Sequence, residues 1–174
     1  MSKLDKMKDL RGGVIYAAAR VAPTTARTWA LDLGVRRSGG HPRYDISDVV
    51  ALVIMRHLTE NVSMAAGTAV QIVRALQPTL PALIERVVAE QETTNRYRRD
   101  GGPFAIFRSK PNPHSPTSAW LVVIEDDKDF ADYLLSEKSG LSPVVIPLVR
   151  PINYALHNVA RVDAGELGEE AALS

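Results

Sequence analysis

Ala18-Ala19-Arg20-Val21-Ala22-Pro23-Thr24-Thr25-Ala26-Arg27-Thr28-Trp29 is the stretch on which the fold of this 174-residue chain turns. On its N-terminal side Val14, Ala17, Ala18 and Val21 recur at i, i+3, i+4 and i+7, one face of a helix. Pro23 is expected to stop that helix, because it lacks an N–H and disfavours helix in the residue before it. Thr24-Thr25 then reads as an N-cap pair that opens a second helix over Ala26–Leu33, ended by Gly34. Two short helices about three residues apart have the spacing of a helix-turn-helix.

Outward from this pair the pattern continues in both directions. Residues 1 to about 13 read as a polar lead-in closed by Gly12-Gly13. On the C-terminal side Gly39-Gly40 supplies the positive φ that a tight hairpin needs, with Arg36 and Arg37 before it and His41 and Arg43 after it. That is the composition of a wing. Ser47 is the expected N-cap of an apolar helix from Val49 to Leu58, and two further helices are expected over Met64–Leu76 and Pro81–Glu92.

The polar stretch 93–103 reads as a linker between a first domain, 1–92, and a second, 104–174. Phe104–Arg108, Ala119–Glu125 and Val144–Val149 are short aromatic and β-branched runs with strand character. Phe130–Ser136 reads as a helical turn or two, and Ile152–Val162 as a final helix or a twisted edge strand. The fold class expected is α+β: a mainly helical winged helix-turn-helix module followed by a small C-terminal unit with a short antiparallel sheet.

Ala18–Trp29, then Gly34, Gly39-Gly40-His41-Pro42-Arg43-Tyr44 and Asp48-Val49-Val50, together resemble the MerR-like winged helix-turn-helix family. The resemblance covers roughly residues 14 to 58. In that family the turn usually carries a Gly and a Ser where Ala22 and Pro23 stand here. The long coiled-coil helix and effector-binding segment of MerR activators are not recognisable in this chain. The resemblance therefore implies a DNA-binding module, without metal or drug sensing.

The residue chemistry points the same way. A helix beginning Thr24-Thr25 directs backbone N–H groups and hydroxyls at phosphates, and its dipole favours anions there. Arg27 and Thr28, one turn in, stand where a recognition helix meets base edges. Trp29 is expected to pack across the helix pair. Arg36, Arg37, His41, Arg43 and Tyr44 would line the wing and grip the DNA backbone or the minor groove. A charged hairpin alone is usually a solvated surface; its place behind the helix pair is what gives it this reading.

Charge is distributed to match. The net charge is +1, yet Met1–Leu58 holds ten Lys or Arg against five Asp, a charge of +5 that leaves −4 for the remainder. Hydrophobic residues make up 45% and charged residues 24%, the balance of a globular protein. There is no cysteine, which excludes disulfide scaffolds, thiolate zinc sites and cysteine nucleophiles. The four histidines are scattered, so no metal or other cofactor is expected. Glu125-Asp126-Asp127 and Asp129 follow a strand, but no Lys or His at matched spacing accompanies them, and the chain is not expected to be an enzyme. No secretory leader or membrane span is read, so the expected location is the cytoplasm, on the nucleoid.

The expected function is a sequence-specific transcriptional regulator that binds double-stranded DNA, as a homodimer over two half-sites. The C-terminal unit would dimerise, bind a small molecule, or dock a protein such as RNA polymerase. An excisionase-type accessory that bends DNA, or a phage packaging or replication-origin DNA-binding protein, are the alternatives. A fragment truncated after Asp100 is expected to keep some DNA affinity.

Overall fold

Ten consecutive residues from Ile46 to Met55 include eight that are buried, a density that demands neighbours on every side. The computed structural model describes residues 4, 7–35, 43–94, 101–107, 121–135 and 144–167. Its elements are helices α1 (Gly12–Ala19), α2 (Pro23–Asp32), α3 (Ile46–Arg56), α4 (Ala66–Leu76) and α5 (Leu80–Thr94), strands β1 (Phe104–Phe107) and β2 (Leu121–Ile124), helix α6 (Asp127–Leu135), strand β3 (Val144–Pro147) and helix α7 (Val149–Asp163). A π-helical turn, His57–Asn61, extends α3. The fold is α+β, mostly helical with one small antiparallel sheet.

The chain divides into two compact units. The first comprises Met1–Glu85 with Pro151–Ser174, the second Arg86–Arg150. These units do not coincide with the stretches 1–92 and 104–174 read from the sequence, because α7 belongs from Pro151 onward with the N-terminal helices. Its residues Ile152, Ala155, Leu156 and Val159 are buried. Asn158, 2% exposed, donates from Nδ2 to the Ala18 carbonyl of α1 at 2.9 Å. The alternative of an edge strand for Ile152–Val162 is thereby excluded.

In the first unit α3 packs against α1, α2 and α4. Its start is fixed by a capping box. The Asp45 carboxylate accepts from the N–H of Ser47 at 2.8 Å and of Asp48 at 3.2 Å, while Asp48 accepts from the Asp45 N–H at 2.9 Å. The cap is therefore Asp45 rather than the expected Ser47, since a carboxylate two residues earlier satisfies two orphan donors at once.

Helix α1 ends in a Schellman motif: Val21 N–H bonds the Tyr16 carbonyl at 3.1 Å and Arg20 N–H the Ala17 carbonyl at 3.1 Å. Helix α2 ends the same way, Val35 to Ala30 at 2.9 Å and Gly34 to Leu31 at 3.0 Å. Gly34 supplies the left-handed residue at φ 71°; at the end of α1 that conformation falls on Arg20, at φ 52°.

In the second unit β1 is central, antiparallel to β2 and β3 in the order β2-β1-β3. Phe104 lies opposite Ile124 on one side and Pro147 on the other. Helix α6 rides on this sheet through Phe130, whose ring stacks on Phe104 with centroids 4.2 Å apart. Gly102 is buried, and a Cβ there would press on the Glu125 carbonyl. No helix among the described residues is long and apolar enough to cross a membrane.

Two stability predictions result. Asn158→Ala leaves the Ala18 carbonyl buried without its donor and should lower unfolding free energy by about 1–3 kcal/mol, read from urea melts. Gly102→Ala forces backbone apart and should cost about 1–3 kcal/mol. A melt unchanged by either substitution would contradict the packing described.

Candidate nucleic-acid interface

Helix α2 is divided lengthwise. Ala26, Trp29, Ala30 and, just beyond the helix, Leu33 are buried, Trp29 at 8% exposure. This seam is what α2 lays on α3 and α1. Thr24, Arg27, Thr28 and Leu31 are exposed, at i, i+3, i+4 and i+7, so they form one outward row. Asp32 follows beside it. Trp29 is thus a core residue that sets how α2 lies, in keeping with the sequence.

The start of α2 differs from expectation. Ala22 is the N-cap, Pro23 is the first helical residue, and no side chain caps the helix. Proline is suited to that position because its missing N–H would be an orphan in any case. The Schellman motif, rather than Pro23, ends α1. Thr24 and Thr25 therefore sit in the first turn instead of capping it. The first intrahelical bond runs from Ala26 N–H to the Ala22 carbonyl at 2.9 Å, so the N–H groups of Thr24 and Thr25 precede the helical ladder. Thr24 is exposed and Thr25 half-buried. The Thr28 hydroxyl donates back to the Thr24 carbonyl at 3.2 Å, which fixes its rotamer on the outer row.

Of the expected wing, Arg36, Arg37 and His41 lie outside the described residues. The chain enters that segment at Val35, buried, and leaves it at Arg43. Arg43 is exposed and pairs with Asp9 at 3.4 Å. Both partners face solvent, and such a pair is worth about 0–1 kcal/mol, so it holds the side chain only loosely. Tyr44 is a correction to the candidate set: at 3% exposure its side chain is core. Its backbone pairs with Leu10 in an antiparallel bridge, Leu10 N–H to Tyr44 O at 2.7 Å and the return bond at 3.0 Å. Its contribution is to tie the exit of the 36–42 segment to the entry of α1.

Sequence reading missed two exposed residues. Arg20 lies in the turn three residues ahead of Pro23, exposed and left-handed. Leu31 ends the outer row, 52% exposed. A basic residue in the turn was the available signal for the first; the i+7 spacing from Thr24 was the signal for the second.

The acidic run of the second unit is occupied otherwise. Arg86 pairs with Glu125 at 2.6 Å and with Glu90 at 3.1 Å, and the Glu90 hydrogen bond, ahead of Glu125, raises its guanidinium pKa. Asp126 accepts from the Asp129 N–H at 2.8 Å at the start of α6, and Asp127 accepts from the Gly102 N–H at 3.0 Å. These carboxylates order the turn from β2 into α6.

Neither a protein-family model, nor a characterised protein, nor a solved structure matches the chain.

Proposed function

We propose that the chain binds double-stranded DNA through a winged helix-turn-helix of the MerR-like kind, with α2 as recognition helix, and acts as a sequence-specific transcriptional regulator. The observation that carries the reading is the lengthwise division of α2, with an apolar seam of Ala26, Trp29 and Ala30 beneath an exposed row containing Thr24, Arg27 and Thr28. A major groove about 12 Å wide admits one helix presented edge-on in this way.

The roles divide by chemistry. Arg27 offers a planar fork to the O6 and N7 of guanine, while Thr24 and Thr25, with the uncapped first turn of α2, favour a phosphate. Thr28 lies alongside Arg27 on the same row. Arg43, with Arg36, Arg37 and His41 of the wing segment, supplies phosphate contacts that position the module. Arg20 joins that set from the turn. Dimerisation over two half-sites belongs to the same proposal.

Fluorescence anisotropy on random-sequence duplex DNA across a salt series is the test. Affinity should fall steeply with salt, and Arg37→Ala or Arg43→Ala should weaken binding to every duplex and flatten the log–log slope by about one unit. Arg27→Ala should act selectively at the preferred site, by about 1–3 kcal/mol. Absence of duplex binding at low salt overturns the proposal.

Arg20→Gly separates stability from binding. Relief of the left-handed conformation should raise unfolding free energy by about 0.5–1 kcal/mol, while duplex affinity falls. An unchanged salt slope removes Arg20 from the contacts.

A further inference from the structure

Leu31 is the one large apolar side chain among the exposed residues of α2. A single exposed leucine is ordinary on a protein surface, so exposure alone carries nothing. Its register is what matters. Leu31 stands three residues after Thr28, four after Arg27 and seven after Thr24, on the row proposed to face the major groove. It therefore meets whatever Arg27 meets, about one helical turn further along.

The floor of the major groove offers hydrogen-bond donors and acceptors at every base pair and one apolar group, the C5-methyl of thymine. A leucine pressed there has no other complement. Against a donor or acceptor it would strip water without replacing the lost hydrogen bonds, which costs affinity. We infer that Leu31 is a specificity-determining residue that packs on a thymine methyl, so that the preferred site contains a thymine near the base pair that Arg27 contacts. Residues 27 and 31 are about 6 Å apart along the helix axis, and base pairs are stacked about 3.4 Å apart. The thymine accordingly lies within about two base-pair steps of the Arg27 contact. The inference rests on the DNA-binding reading and deepens it, from duplex DNA in general to a site with a methyl group at a defined place.

The experiment uses the full chain. A preferred duplex is selected from a random library, and each thymine in turn is replaced by deoxyuridine, which removes the methyl and keeps every hydrogen-bonding group. Wild-type protein should lose about four-fold in affinity at one thymine position, the worth of one buried methyl. Leu31→Ala should bind the thymine duplex about that much more weakly and show no further loss with deoxyuridine there. The scan on wild-type protein stands even if the variant folds poorly.

If no position in the selected duplex responds to methyl removal, the inference fails and the DNA-binding reading survives. The same holds if Leu31→Ala keeps the full methyl response, or binds every duplex as wild type does, the outcome expected if Leu31 instead meets a protein. If the wild-type chain binds no duplex, both fall together.

Discussion

Burial of α3 on all sides is the constraint from which the rest of the first unit is derived. From Val49 to Met55 every side chain is inside, so no face remains for solvent and several helices must surround it. α1, α2 and α4 do so. Once α2 is committed to that task through Ala26, Trp29 and Ala30, its opposite row has nothing left to bury against, and Thr24, Arg27, Thr28 and Leu31 face outward. The candidate interface is in this sense a by-product of core packing. The Asp45–Asp48 capping box sets where α3 begins and hence where Tyr44, paired with Leu10, brings the chain back from residues 36–42.

Much of this was legible in the amino-acid sequence where a local rule decides. The apolar periodicities placed the first five helices, and short β-branched runs placed the three strands, because both signals are written in neighbouring residues. The errors have local causes too. Pro23 serves two purposes, blocking helix before it and opening helix after it, and pattern alone does not say which dominates. Asp45 and Ser47 are both good caps; the choice fell to the reciprocal bond with Asp48.

Other features had no local signal. That α7 returns to the N-terminal unit rests on its buried Ile152, Ala155, Leu156 and Val159 and on the bond from Asn158 to Ala18, and nothing in either neighbourhood announces the other. The burial of Tyr44 is likewise tertiary, since a Tyr at the end of a basic loop reads equally well as a contact. For the candidate site, the placing of Thr24, Thr25, Arg27 and Thr28 on one short helix was readable from the helix pattern. Arg20 and Leu31 had signals too, the basic residue in the turn and the i+7 spacing, but each is outweighed by a rule it breaks: an arginine where backbone conformation favours glycine, and a leucine where the surface is polar.

The bond from Asn158 to Ala18 spans 140 positions, and that separation has a meaning for synthesis. A ribosome adds about 5–20 residues per second, so Ala18 is made about 7–28 s before its partner exists. Throughout that interval the first unit lacks the helix whose Ile152, Ala155, Leu156 and Val159 belong to its core. Helix α7, made 140 positions after Ala18, therefore completes a core that the N-terminal helices begin.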